Sequence, residues 1–477
     1  MAVISRTLAR AALAIAVGSI ASTALAAPAW PLRVSADRRN LVDQMGRPFL
    51  IAADAAWCMV NGLTDEEIDT YLDARQAQGF NTIEFMLMSR HSGCAVGRVS
   101  ADRNGESPFV TGDDDWSMPN EAYWARVDVI LDKLEARGLL ALVTPAYLGY
   151  LCYYLDQGWC DVMSSQPVER MSDFGTFLGR RYRSQGNIIW IAGGDANPLG
   201  YEGMDERVDA LMSAITAAEA GRHLITGHGD RGVSAYEQFG AHSWLSINSA
   251  YDGESCPDDT MVAQIEAEHA RSPVLPLLSI EQRFDAEGAD AVCLADQFLW
   301  AALGGAVGHV YGNRYTWTFS AGWDGDAGIS SPGARVHTNS AKLIRSRRYW
   351  QFVPDDSHEV VIAGYGSGVA TVATSRVSTG ETVMAYVPVE GTRITVDMSR
   401  LSGFRATAYW YDPETGEATY SGNYPTQGAL EFVSPGDARV LVLDDASRGF
   451  PTPGTRDAPF RGKRPRPPVP RRLGALR

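Results

Sequence analysis

The chain has 477 residues, of which 45% are hydrophobic and 21% charged. It can therefore bury a large core, exceeds the usual size of a single domain and is not an intrinsically disordered protein. A formal net charge of −15 repels nucleic acid and anionic lipid surfaces, so neither is expected as a partner.

Arg6 and Arg10 precede an apolar run over residues 11–20, and Ala24-Leu25-Ala26 follows it. That layout predicts a secretory signal over residues 1–26, cleaved after Ala26, and a secreted or periplasmic mature protein. No later stretch reaches the roughly 18 uninterrupted apolar residues of a membrane span. Residues 50–54 predict a first strand. Thr64 and Glu67 then form a capping box, and Ile68, Tyr71 and Leu72 carry helical spacing to a stop at Gly79. The alternation repeats with strands at 82–88, 139–144 and 188–192 and helices at 121–137, 168–182 and 205–218. It continues with strands at 224–226, 245–248, 274–280 and 308–311 and helices at 261–269 and 291–303. Regular alternation of this kind predicts a parallel sheet, and eight strands predict a (β/α)8 barrel over residues 27–353. After Pro354 the texture changes to short strands among Gly-rich turns, at 360–362, 369–374, 382–387, 393–396, 407–411 and 439–443. This predicts an antiparallel β-sandwich over 354–445, with Asp412-Pro-Glu-Thr-Gly416 as a turn inside it. The Pro- and Arg-rich stretch 446–477 is expected to be a disordered tail.

Two apolar strands end in carboxylates. Asn187-Ile-Ile-Trp-Ile-Ala-Gly-Gly leads to Asp195, and Pro273-Val-Leu-Pro-Leu-Leu-Ser-Ile leads to Glu281. Barrels keep their catalysts at the C-terminal ends of their strands. Glycosidic-bond cleavage needs two carboxyl groups, one to protonate the leaving oxygen and one to attack or to activate water. The chain therefore reads as a glycoside hydrolase with Asp195 and Glu281 as its catalytic pair. The bland alternatives are that Asp195 caps a helix and that Glu281 pairs with Arg283. Asp54, Trp57, Tyr147, Asn197, His228, Tyr251, Asn313 and Trp317 lie near strand exits and supply the aromatic and polar groups that a sugar site needs on its rim. The rival from another class is a non-catalytic carbohydrate-binding or scaffold protein on the same barrel.

Several other patterns carry less. Gly227-His-Gly-Asp-Arg-Gly232 matches G-x-G-x-x-G but opens no convincing helix, so no dinucleotide is expected. Asp113-Asp114-Asp115 lacks the spaced ligand order of a calcium loop. There is no H-E-x-x-H, no G-x-S-x-G and no paired C-x-x-C, and no metal or cofactor is expected. The six cysteines suit an exported chain with disulfides, and Cys152 with Cys160 is the pair a short loop could close.

The chain resembles the apiosidase-like glycoside hydrolases, which are often joined to a domain labelled collagen-binding. Gly46-Arg-Pro-Phe49 through Ala53-Asp54-Ala55-Ala56-Trp57 looks like the family's G-x-P-F and G-D-T-x-W. Arg75 to Asn81 matches R-x-x-x-G-F-N, and Gly308-His-Val-Tyr-Gly312 matches G-H-x-Y-G. The resemblance implies retaining hydrolysis of a complex polysaccharide, with Asp195 as acid/base and Glu281 as nucleophile. Departures fall where substrate would be touched. The family's G-D-T is Ala53-Asp54-Ala55, its Q-S-G-H is Asn248-Ser249-Ala250-Tyr251, and its Y-E is Phe284-Asp285. The chemistry carries over more firmly than the sugar. For the C-terminal domain, an exposed strip of Tyr409, Trp410 or Tyr411 would indicate binding, and packing of these rings on the barrel would indicate a buttress.

Overall fold

The computed structural model describes residues 27–94, 99–152, 157–253, 255–256, 260–320 and 323–460. The expected signal segment and the last part of the expected tail lie outside the described residues. Three two-residue strands, Arg33–Val34, Leu41–Val42 and Pro48–Phe49, form a small antiparallel sheet ahead of the barrel.

Eight parallel strands follow: β1 (Ile51–Ala55), β2 (Thr82–Met86), β3 (Leu140–Thr144), β4 (Ile188–Gly193), β5 (Leu224–His228), β6 (Asn248–Tyr251), β7 (Leu277–Glu281) and β8 (Gly308–Gly312). Their order around the sheet is β5-β4-β3-β2-β1-β8-β7-β6. The gap between β5 and β6 is spanned without a regular ladder. Ser246 and Ile247 donate their N–H groups to the Ile225 carbonyl, and the Ser249 hydroxyl donates to the Gly227 carbonyl at 2.6 Å. The sheet is thus a nearly closed barrel of the TIM type.

The main helices are α1 (Asp65–Gln78), α2 (Glu121–Ala136), α3 (Val168–Tyr182), α4 (Met204–Ala218), α5 (Ala235–Phe239), α6 (Thr260–Ala270), α7 (Ala291–Leu303) and α8 (Pro332–Arg345). In α1 the Thr64 hydroxyl accepts from Glu67 N–H and the Glu67 carboxylate accepts from Thr64 N–H, the reciprocal pairing the sequence signals. Gly79 ends that helix in the left-handed region at φ 107°. Strand β6 lies at 248–251 rather than 245–248. Its polar Asn248 is satisfied from outside the barrel by the buried Glu268 of α6, at 2.8 Å, which an apolar-run criterion does not detect.

The C-terminal part holds β9 (Phe352–Pro354), β10 (Val361–Ala363), β11 (Ala373–Val377), β12 (Thr382–Val387), β13 (Arg393–Asp397), β14 (Arg405–Asp412), β15 (Glu417–Pro425), β16 (Ala429–Val433) and β17 (Arg439–Asp445). They form an antiparallel sheet in the order β9-β11-β12-β17-β14-β15 and a smaller one, β10-β13-β16, with a valine- and leucine-rich core between them. The larger sheet turns its other face to the barrel, where Met384, Tyr386, Tyr411 and Val442 pack with Phe298, Trp300 and Leu343 of α7 and α8. Tyr411 is buried there with its hydroxyl on the Asn339 carbonyl at 3.0 Å, Tyr409 packs against the same cluster, and Trp410 turns toward the sandwich core. Residues 446–460, expected to belong to a disordered tail, instead run back along this junction. The Pro451 carbonyl accepts from Arg347 at 3.0 Å, Ala458 N–H donates to the Arg345 carbonyl, and Phe460 packs edge-on against Trp350.

Candidate active site

The C-terminal ends of β4 and β7 are each distorted in a way that aims a carboxylate. After β4, Gly193, Gly194 and Asp195 take φ values of 84°, 125° and 52° in succession. A Cβ on Gly194 would lie 2.2 Å from the Tyr147 ring, and one on Gly193 would lie 2.6 Å from the His228 carbonyl. The two glycines are therefore required by protein packed directly against them. Asp195 tolerates the left-handed conformation as few other residues do. It does not cap the next helical turn. Asn197 does that, accepting from Leu199 N–H.

On β7, the pairing with β6 slips between Ser279 and Glu281, so that Glu281 rather than Ile280 sits opposite Tyr251. Alternation alone would place Glu281 on the same outward face as Ser279, whose hydroxyl meets His309 behind the sheet. The bulge turns the carboxylate into the barrel mouth, a use of bulges that recurs beside active sites. Glu281 forms no ion pair with Arg283 among the described residues. Its partners are Trp57, whose indole N–H donates to Oε1 at 3.2 Å, and His228, whose Nε2 lies 2.5 Å from Oε2.

Asp195 receives two phenols. Tyr147 donates to Oδ2 at 3.0 Å and Tyr251 to Oδ1 at 2.7 Å. Burial, and then the charges of Asp195 and Glu281, push both phenols well above their ordinary pKa, so they stay protonated and act as donors. Asp195 N–H donates to His228 Nδ1 at 3.0 Å. The proton of the neutral imidazole is therefore on Nε2, directed at Glu281. Burial pushes the His228 pKa down, but the hydrogen bond and charge of Glu281 outweigh it and hold the pKa above its ordinary value. Protonating Nδ1 would break the bond to Asp195 N–H, so the neutral tautomer satisfies all three groups.

Asp195, His228 and Glu281 each bring one ligating atom to within 4.8 Å of the others. That set could hold a metal ion, yet each atom is already engaged in a hydrogen bond that needs none. The pair faces a cavity of about 310 Å³, whose lining includes Trp57, Tyr147, Arg231, Tyr251 and Trp317. A larger opening of about 410 Å³ at the other end of the barrel is lined by a single carboxylate, Asp37, and so has no pair.

The remaining candidates separate. Trp57, Tyr147, Tyr251 and Trp317 line the cavity, and His228 lies buried directly behind the two carboxylates. Asp54 does not reach the cavity. It points outward from β1 to Arg75 and Tyr71 of α1, forming a wholly buried ion pair at 2.6 Å. Asn197 and Asn313 are helix caps outside the lining, Asn313 accepting from Tyr315 N–H.

Among the groups the sequence reading does not name, two stand beside the carboxylate pair. Arg231 follows β5 inside the discounted glycine stretch, where a basic residue three positions after a strand-end histidine was the available signal. Glu84 lies mid-strand in β2, opposite Ala55 and Leu142, with both oxygens buried and unpartnered among the described residues. Burial first, and then the charges of Glu281 and Asp195, push its pKa well above the usual carboxylate range.

Residues 35–351 match the family "Apiosidase-like, catalytic domain". The chain belongs to the apiosidase-like family. It carries that family's catalytic domain and is a glycosidase, with a carbohydrate as its substrate. Residues 353–444 match the family "Putative collagen-binding domain of a collagenase", so the apiosidase-like barrel and the sandwich are matched end to end. A glycoside hydrolase family 5 structure from Bacteroides vulgatus is similar with a TM-score of 0.76 at 21% identity, covering 90% of this chain and 96% of its own. A second structure, described as a glycoside hydrolase, gives 0.75 at 21%, covering 88% and 98%. At these identities the likeness is one of fold. No curated protein is similar in sequence.

Proposed function

We propose that this apiosidase-like chain is an exported retaining glycosidase of a complex polysaccharide, with Asp195 as acid/base and Glu281 as nucleophile. The observation that carries the reading is the approach of the two carboxylates, with one oxygen of each within 4.8 Å across a single cavity. Retention goes with carboxyls about 5–5.5 Å apart, whereas inversion needs about 6.5–9.5 Å to admit a water. Asp195 gives its proton to the leaving glycosidic oxygen as a Glu281 oxygen bonds to the anomeric carbon and the carbon–oxygen bond electrons pass to the leaving group. Asp195 then takes a proton from water, whose oxygen displaces Glu281 from the sugar. Trp57 and His228 hold the Glu281 carboxylate by two N–H donors, one on each oxygen.

Export is supported by the signal-like N-terminus and by three disulfides, Cys58–Cys94, Cys152–Cys160 and Cys256–Cys293. Each lies near the C-terminal ends of the barrel strands, with Cys293 in the first turn of α7. The packing of Tyr409 and Tyr411 toward the barrel supports a buttressing role for the C-terminal domain. Because Tyr251 stands where the family's motif has a histidine, the sugar is left to experiment. Incubation with plant cell-wall and bacterial polysaccharides, followed by NMR of the first-formed product, should give a reducing end of retained anomeric configuration. Binding of a glycan without cleavage across the panel would instead favour the non-catalytic carbohydrate-binding reading, and a first product of inverted configuration would remove Glu281 as nucleophile.

A further inference from the structure

A phenol has a single proton to place. Tyr251 oxygen accepts from Arg231 Nε at 2.9 Å and lies 2.7 Å from Asp195 Oδ1. A guanidinium can only donate, so the polarity of that contact cannot reverse, and the Tyr251 proton is committed to Oδ1. Arg231 is itself fixed. Its guanidinium lies 5.8 Å from the Tyr150 ring centroid and 5.7 Å from that of Tyr251, and Gly232 N–H next to it binds the Tyr251 carbonyl at 2.8 Å. The other oxygen, Oδ2, faces Tyr147, whose hydroxyl has no second partner among the described residues and can turn to donate or to accept.

We infer that Arg231 is a positioning residue that decides which oxygen of Asp195 carries the catalytic proton. By locking the Tyr251 hydroxyl onto Oδ1, it leaves Oδ2 to hold that proton and deliver it. A proton on Oδ1 would meet the Tyr251 proton head-on. When Oδ2 releases its proton to the leaving oxygen, the Tyr147 hydroxyl turns to donate to the new carboxylate, and no further group need move. This rests on the acid/base assignment proposed for Asp195. The titratable groups facing Asp195 are Tyr147 after β3, His228 and Arg231 at the end of β5, Tyr251 on β6, Glu281 on β7 and Glu84 from β2 below. Of these, Arg231 and Tyr251 alone act together on a single oxygen.

The test is the pH dependence of kcat/KM for wild type, Arg231→Lys, Tyr251→Phe and the double variant. Activity is read as reducing-end release from whichever panel polysaccharide the wild type cleaves fastest. Lysine keeps the charge but loses the Nε donor at that position. A donor locked on Asp195 favours its ionised form, so losing the lock should move the alkaline limb to higher pH, by about one unit. Arg231→Lys and Tyr251→Phe should each give this shift, and the double variant should give no more than either. The inference fails if Arg231→Lys leaves the limb in place and only raises KM, or if its shift persists in the Tyr251→Phe background. Should either Arg231→Lys or the double variant misfold by circular dichroism, Arg231→Gln in both backgrounds decides by the same non-additivity. If the alkaline limb survives unchanged in Asp195→Asn, the acid/base assignment falls and this inference falls with it. If that limb is lost in Asp195→Asn but unmoved in Arg231→Lys, this inference alone is overturned.

Discussion

At the barrel mouth, Tyr147 and Tyr251 donate to one carboxylate on the wall of an open cavity. At the seam with the C-terminal sheets, Tyr386 donates to Asp296 and Tyr411 to the Asn339 carbonyl, each buried among apolar side chains. The residue types are the same and the chemistry differs. In the mouth, polar groups from four strand ends, those of β1, β3, β5 and β6, converge on two carboxylates that face each other and space for a ligand. At the seam, Trp300 N–H reaches the Thr371 carbonyl, Ser375 reaches the Leu303 carbonyl, and Arg347 grips Asp444 through two nitrogens, each contact closing locally on a partner across the junction. Convergence on shared space marks the site, and local closure marks a joint.

Substitutions should sort along the same division. In the mouth, Glu281→Ala should lower kcat by at least about 10⁴-fold while the melting temperature changes little, since the residue supports chemistry rather than the core. A loss of activity accompanied by unfolding would break that contrast. His228→Ala should cost about 10²-fold in kcat by removing one of the two donors to Glu281, with kinetics on the cleaved polysaccharide as the check. Outside the cavity, Asp54→Ala should lower stability by about 3–5 kcal/mol by leaving Arg75 buried and unpaired. Its effect on KM in the fraction that stays folded should be small, and a large KM effect at unchanged stability would return Asp54 to the sugar site.

The seam should also carry a pH signature of its own. Burial raises Asp296 from 3.8 to about 7, so the stability from keeping it neutral is present below pH 3.8 and is lost as pH rises through about 7. Burial lowers His309, on the outward face of β8, to about 3, so its contribution is present above pH 6.5 and is lost as pH falls toward about 3. The melting temperature of the wild type relative to Asp296→Asn should therefore fall between pH 4 and 7, the His309 contribution being common to both proteins, without a change in the pH profile of catalysis. Calorimetry of both proteins across that range checks it, and a difference between them that does not vary with pH would show that Asp296 does not govern the seam.

Strand ends were legible because an apolar run closed by a carboxylate is hard to explain by packing, and that criterion picked out Asp195 and Glu281, whose side chains line one cavity. Side-chain direction was not. Both faces of a barrel strand are apolar, so nothing local told Asp54, which faces α1, from a residue facing the mouth. Glu281 faces inward only because of a bulge set by its pairing with β6. Cys152 and Cys160 could be paired from their short separation, whereas Cys58–Cys94 and Cys256–Cys293 join segments 36 and 37 residues apart that only the folded barrel brings together. Strands β15 and β16 escaped notice because they are largely exposed and lack the apolar alternation of the others. Residues 446–460 looked tail-like in composition, yet their main chain supplies acceptors and donors that Arg347 and Arg345 use at the seam. Glu84 was visible as a lone carboxylate in an apolar strand, but its meaning depends on which face it occupies.

Azide rescue tests the division of labour between the two carboxylates most directly. With azide supplied to Asp195→Ala and to Glu281→Ala, the account predicts a glycosyl azide of retained anomeric configuration from the first and of inverted configuration from the second. The same configuration from both variants, or rescue of neither while wild-type product is retained, would contradict it.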